Sequence, residues 1–498
     1  MEIQFQEGGH QQWKADILLA PALEGDNALE KCPELDAACP WLAVAPAMRD
    51  VRHRQGEMAV IYGHPDLNIP RVLFLGLGKK EEFSLQDLRL AVGKALQQCR
   101  ELRLSSVLLP LSILASLPCG RDRLLEEVIY AAHLGLYQGN FYKKIDASAP
   151  KDPEYFYLAA TTLPSASQNA ARRGEHAAKA TLLARRLANL PANLLTPADL
   201  ADEAQSLAKS FDLSCSVLDE EAMLNLGMGA LLSVGQGSVH PPRLVVLEHA
   251  PREHAAEAPL VLVGKGICFD SGGISLKPAA KMHQMKSDMS GAAAVLAAMT
   301  VIAQEKLPKH VVGILACAEN MPGGASVKPG DVVYAMNGES IEITNTDAEG
   351  RMVLADALCF AKKNYSPGIL VDIATLTGAC AVALGDELAG LFSDESFLVE
   401  HIKAAGQTAG ENFWLMPLWK NYEQKLKSDI ADICHTGPRE GGAINAALFL
   451  KHFVDDICYA HLDIAGVDWQ EKATSLCPKG ATGFGARTLI ELARGGLE

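Results

Sequence analysis

Apolar positions along this chain fall into two patterns, short continuous runs and stretches with helical period. Residues 15–20 and 71–78 are continuous apolar runs that predict buried strands, and 105–111 predicts another, ended by Pro110. Between them, 85–103 sets Leu88, Val92, Ala95 and Leu96 on one side of a predicted helix. Strand and helix alternate, so residues 1–163 are expected to form an α/β layer of their own. Gly76, Leu77 and Gly78 invite a nucleotide-loop reading. A lone GxG is weak evidence, and a structural turn is the favoured reading.

Polar residues around 164–168 mark a seam, and 169–190, rich in Ala, Arg and Leu, predicts a connecting helix. The expected division is therefore 1–163, a connecting helix within 164–190, and a second domain over 191–498. Thr196 and Pro197 are expected at the N-cap and first position of the next helix. Beyond it, 243–247, 260–264, 311–316 and 368–374 predict strands. The segment 291–296 opens a helix of small residues, and 351–363 predicts another. The second domain is thus expected to be α/β, a mostly parallel sheet flanked by helices. Ligands gather beyond the carboxyl ends of such strands. Lys265, Asp270, Asp347 and Glu349 each follow a strand-like run, and the glycine-rich stretch 436–445 is expected to line a cleft.

Composition narrows the function classes. At 498 residues, two domains are the first expectation. A net charge of −15 argues against nucleic acid as a partner, since such proteins show a basic face. The twelve cysteines contain no CxxC pair, which fits reduced thiols of the cytosol. The first residues lack the basic and apolar regions of a secretion signal, so a cytoplasmic location is expected. No apolar run approaches the ~18 residues of a membrane span, so no membrane is expected as a partner.

Candidate chemistry concentrates between 260 and 351. Asp270, Asp288, Asp347 and Glu349 share this region with Lys265, Lys277 and Arg351, where apolar runs meet glycine-rich loops. Desolvating an unpaired ion costs several kcal/mol, on the order given for buried ions. Divalent metals would resolve that conflict, because one carboxylate can bridge two ions about 4 Å apart. HExxH is absent and no histidine pair has ligand spacing, which excludes a single-zinc peptidase helix. Each residue also has a structural reading. Asp288 would cap a helix, Asp347 and Glu349 would complement a helix dipole, and Lys265 would pair with Asp270. Lysine ligates a metal only as a neutral amine, so spacing alone favours the ion pair for Lys265.

Residues 263–273, 285–291 and 345–351 resemble the leucine aminopeptidase (M17) family of cytosolic metallopeptidases. Asn345-Thr346-Asp347-Ala348-Glu349-Gly350-Arg351 is similar to that family's signature heptapeptide without a change. The likeness continues through 374–379, 428–432, 461–466 and 480–483, and so covers nearly all of the chain after about Leu190. The first domain matches only in layout, a smaller N-terminal α/β, macro-like domain. The resemblance implies one metal held by Lys265, Asp270, Asp288 and Glu349, and another by Asp270, Asp347 and Glu349. The ions would be Mn²⁺ or Zn²⁺. Lys277 would polarise the scissile carbonyl, and Arg351 would hold a bicarbonate acting as general base. Peptides would be the substrates, the first residue would be released, and the chain would assemble as a homohexamer.

The same resemblance places Met285, Thr375, Gly378, Ala465 and Asp468 around the first side-chain pocket. Asp468 stands where family members often carry an apolar or small residue, which predicts tolerance of basic or polar first residues if it faces the pocket. Two other classes remain open at this point, a dimetal phosphatase or nuclease and a non-enzymatic scaffold or DNA-binding regulator. The acidic surface and the intact ligand set speak against both.

Overall fold

The computed structural model of the chain describes residues 1–144, 146 and 148–495. They separate into two compact units, Met1–Lys179 with Lys472–Lys479, and Ala180–Glu471 with the segment from Gly480 onwards. The division falls inside one helix, Ser165–Asn189. The polar residues expected to form a seam are its first turn, since Ser165 already carries helical backbone.

The first unit holds strands β1 (Glu2–Glu7), β2 (Ile17–Ala22), β3 (Met58–Tyr62), β4 (Arg71–Gly76), β5 (Ser106–Pro110) and β6 (Tyr155–Ala160). They form one sheet in the order β1-β6-β5-β2-β4-β3. Every neighbouring pair is parallel except β3 with β4. Ser84 caps the helix Leu85–Glu101 through the Asp87 N–H, and Leu88, Val92, Ala95 and Leu96 are its buried face. Gly76 ends β4 where a Cβ would meet the Arg54 carbonyl oxygen at 2.1 Å, a packing reason for its glycine.

The second unit carries β7 (Ser214–Leu218), β8 (Arg243–His249), β9 (Leu260–Asp270), β10 (Val311–Asn320), β11 (Val332–Tyr334), β12 (Ser340–Glu342), β13 (Ile369–Ala374), β14 (Leu388–Phe392), β15 (Asn412–Leu415), β16 (Ile433–Cys434) and β17 (Tyr459–Asp463). Eight of them form the main sheet, ordered β15-β14-β17-β13-β9-β10-β8-β7. Its middle strands β17, β13, β9 and β10 run parallel. The helix Ser290–Gln304 packs in the core on one face, and Glu349–Tyr365 in the core on the other. The α/β expectation of a mostly parallel sheet with helices on both sides is met.

Local signals hold where the chemistry is strong. Thr196 and Asp199 form a reciprocal capping box with Pro197 at the start of Pro197–Phe211. Two expectations are corrected. The apolar run at 260–264 does not end before Lys265, because β9 continues to Asp270 and Lys265 stands within it. Asp347 and Glu349 do not follow a main-sheet strand, because β12 belongs to a separate three-stranded sheet with β11 and β16. A third expectation also changes. Residues 282–304 are long and apolar enough to span a membrane, and 94% of their most apolar 18-residue window is buried in protein. Alanine and glycine make the segment apolar without bulk, which suits close packing on the sheet.

All twelve cysteines are free thiols.

Candidate active site

Four parallel strands end around one place, β9 at Asp270, β10 at Asn320, β13 at Ala374 and β17 at Asp463. Lys265 points its ammonium into this place from within β9. Its Nζ donates to the Thr375 carbonyl and to Asp288 Oδ1, both at 2.9 Å, and lies 2.8 Å from Glu349 Oε1. The expected pairing of Lys265 with Asp270 is replaced by these two acids. Asp270 instead lies 2.7 Å from Lys277 Nζ through Oδ2. Its Oδ1 accepts from the Gly272 N–H at 2.9 Å and from Asn320 Nδ2 at 2.7 Å. Lys277 Nζ also sits 2.5 Å from Asp347 Oδ1.

Asp288 does not cap the helix after it. The N-cap is Met289, and Asp288 Oδ1 accepts from Thr375 Oγ1 at 2.7 Å. Glu349 does open the helix Glu349–Tyr365, as the dipole reading expects, and its carboxylate is also spent on Lys265. Helix Ser290–Gln304 reaches the site closely because Gly291 has no side chain. A Cβ there would meet the Ile373 carbonyl oxygen at 2.1 Å.

The electrostatics follow from burying four acids together. Burial pushes the Asp270 carboxyl up to about 6, with Glu349 adding to the shift. Burial raises Asp288 well above the ordinary carboxylate range, and raises Asp347 as well. Burial also acts to raise Glu349, but Lys265 and Lys277 outweigh it and hold the carboxyl at about 2. Burial disfavours the charge on both lysines, yet the surrounding carboxylates win and keep them above their ordinary values. Arg351 is lowered by burial to about 10 and stays a cation at neutral pH.

The donor set fits divalent cations. Carboxylate oxygens of Asp270, Asp347 and Glu349 all lie within 4.8 Å of one another. Asp288 Oδ2 and Glu349 Oε2 are buried with no hydrogen-bond partner. Oxygen atoms in that state are costly unless a proton or a cation meets them. Four acids against two lysines leave negative charge for a metal to balance.

A cavity of about 450 Å³ opens beside this cluster, lined among others by Asn345, Asp347, Arg351, Gly378 and Arg439. Arg351 Nη1 donates to the His435 carbonyl at 2.8 Å, while its buried Nε has no partner. The stretch 436–445 divides, with 436–441 a loop on the cavity wall and Gly442–His452 a helix. Of the residues expected around the first side chain, Gly378 lines this cavity and Met285, Thr375, Ala465 and Asp468 do not. Thr375 lies against Asp288, and Met285 and Ala465 are half-buried. Asp468 is buried and its Oδ2 accepts from Ser287 Oγ at 2.7 Å. Burial pushes its carboxyl up to about 7.

Residues 182–490 match the model of the cytosol aminopeptidase family, catalytic domain, and 21–145 match the N-terminal domain of the same family. The chain belongs to the cytosol aminopeptidase family. It is 57% identical over 500 residues to a probable cytosol aminopeptidase of Desulfovibrio desulfuricans, covering all of both chains. A probable cytosol aminopeptidase of Nitratidesulfovibrio vulgaris is 47% identical, covering 100% of this chain and 99% of the relative. Among solved structures, the bottromycin maturation enzyme BotP in complex with Mn superposes with a TM-score of 0.85 at 35% identity. That match covers 96% of this chain and 99% of BotP. Membership makes the chain a peptidase, a hydrolase in a metal-dependent family of aminopeptidases.

Three polar residues of this family member escape a reading of the sequence. Asn320 ends β10 and ties Asp270 to the Thr346 carbonyl, to which it donates at 3.0 Å. His435 Nε2 lies 2.9 Å from the Asn345 carbonyl, so it anchors the turn that presents Asp347. Burial, helped by Arg351, lowers its imidazole to about 4 and keeps the ring neutral. Asp463 accepts from Thr377 Oγ1 at 2.7 Å and from the Leu376 N–H at 3.2 Å, fixing the turn that follows β13. The available signal was positional, a polar residue at or just past the end of a strand.

Proposed function

We infer that this chain is a two-metal aminopeptidase that releases the first residue of peptides, leucine and others. The observation that carries the reading is the pair of partnerless buried carboxylate oxygens, on Asp288 and Glu349, beside the Asp270, Asp347 and Glu349 cluster. One ion would be held by Lys265, Asp270, Asp288 and Glu349, the other by Asp270, Asp347 and Glu349, with Mn²⁺ or Zn²⁺ as the ions. Divalent ions bound there supply Lewis acidity to the scissile carbonyl and lower the pKa of an attacking water. Asp288 and Glu349 keep Lys265 protonated, so its ligation is coupled to proton release.

Lys277 retains its charge because Asp270, Glu349 and Asp288 outweigh the effect of its burial. That fixed charge suits stabilisation of the developing oxyanion. Arg351, with a free buried Nε on the cavity, suits an anion, and bicarbonate held there would take the proton of the water. No histidine or spare glutamate is then required as a base. Met285, Thr375, Gly378, Ala465 and Asp468 would shape the first side-chain pocket, and methionine makes such a pocket permissive.

Peptides are the partners of this reading, the location is cytoplasmic, and neither nucleic acid nor a membrane is required. Exposed Trp414, Leu415, Trp419 and Ile430 leave apolar surface that a homohexamer would cover. Native mass spectrometry tests metals and assembly together. Wild type is expected as six chains with two ions each, and Asp347→Ala with one ion per chain. A single 53.2 kDa chain, or one ion per wild-type chain, would overturn the corresponding part.

A further inference from the structure

The cavity beside the cluster is lined by charges of both signs. Asp347, Arg351 and Arg439 all line it, the last on the loop at 436–441. Arg439 is exposed, and its guanidinium makes no hydrogen bond or ion pair with any described residue. Glu440 next to it does not line the cavity. An unpaired arginine on a loop is ordinarily just solvated. Here the loop itself is held in place, which changes the reading.

Asn445 supplies that hold. It is buried in the helix after the loop, and its Nδ2 donates to the Pro438 carbonyl at 3.2 Å and the Glu440 carbonyl at 3.3 Å. The backbone on both sides of Arg439 is therefore clamped by one amide. Asn445 is itself buried, so the clamp is shielded from solvent. A positive charge on a loop fixed in this way describes a binding wall.

The occupant follows from direction. In the aminopeptidase reading the substrate's ammonium end lies at the acids, and the residues expected around the first side chain, apart from Gly378, lie off this cavity. The cavity then belongs to the part of the peptide beyond the scissile bond. Its volume, about 450 Å³, suits a few residues and no long chain. A short peptide carries a carboxylate at the end away from the scissile bond, and Arg439 is an exposed cation on this wall that can meet it.

We propose that Arg439 is a specificity residue that holds the terminal carboxylate of di- and tripeptides, so that the enzyme favours short peptides with a free carboxyl end. This rests on the aminopeptidase reading of the site. The Asn445 amide positions the loop through the Pro438 and Glu440 carbonyls.

The test compares Leu-Gly-Gly with its C-terminal carboxamide on metal-loaded enzyme. Wild type is expected to favour the free carboxylate about fivefold in kcat/KM, the scale of one solvent-exposed ion pair. The difference should fall in KM, as for binding shared by ground and transition states, and shrink with added salt. Arg439→Gln should bring the ratio close to one, and Arg439→Lys should keep part of it. Equal constants for the two peptides in wild type, or a preference that survives Arg439→Gln, would overturn the assignment while leaving the aminopeptidase reading intact. Hydrolysis of neither peptide would overturn that reading and this one with it.

Discussion

Lys265 illustrates how far single residues could be read. Its type and neighbours favour an ion pair with Asp270, and the fold gives it Asp288, Glu349 and the Thr375 carbonyl instead. Those partners lie up to 110 residues away in the chain. Only the strand register brings them together, so spacing alone could not choose among them. Asp468 is a second case. Its sequence position suggests an unusual charge near the first side chain, and the structure shows it buried and bonded to Ser287. With the residue in that pocket, Arg-p-nitroanilide turnover relative to Leu-p-nitroanilide should drop about tenfold or more in Asp468→Ala, on the order of a lost charge-assisted hydrogen bond. An unchanged order among Leu, Met and Arg anilides would remove Asp468 from specificity.

At the scale of elements, the apolar runs located the strands and misjudged one end. β9 looked complete at Gly264 because a lysine usually ends a buried run, and it continues because neighbouring carboxylates neutralise that lysine. The helix start with strong local chemistry, at Thr196, was readable from a few residues. Asn320, His435 and Asp463 were not, since each works through partners supplied by another element. The contact of helix Ser290–Gln304 with the sheet depends on Gly291, against which the Ile373 carbonyl lies. Gly291→Ala is therefore expected to cost about 1–3 kcal/mol, the range for overpacking a core. It should also lower activity, because the added methyl would lie 3.0 Å from the Lys265 backbone nitrogen. Urea unfolding and Leu-anilide turnover read the two effects. A variant as stable as wild type would contradict the close approach.

Across the whole molecule, buried titrating groups oppose one another with pH. Burial lowers His133 and His435 to about 4, so both stay neutral in the fold and protonate first when unfolded. Their contribution is complete above the unfolded value near 6.5 and is lost as pH falls toward about 4. Burial raises Asp356 and Asp468 to about 7, and their contribution has the opposite sign, lost as pH rises through that value. The clean observable is a difference between proteins. The stability of His133→Leu relative to wild type should improve as pH falls from about 6.5 to about 4, and a gap constant with pH would contradict the burial of His133. The central claim concerns the site, and hydrolysis of Leu-p-nitroanilide by metal-stripped protein, titrated with Mn²⁺ or Zn²⁺, tests it most directly. Activity should appear with added metal in wild type and stay absent in Asp347→Ala. Full activity in the stripped protein, or equal metal-dependent activity in the variant, would contradict a two-metal site built on that carboxylate.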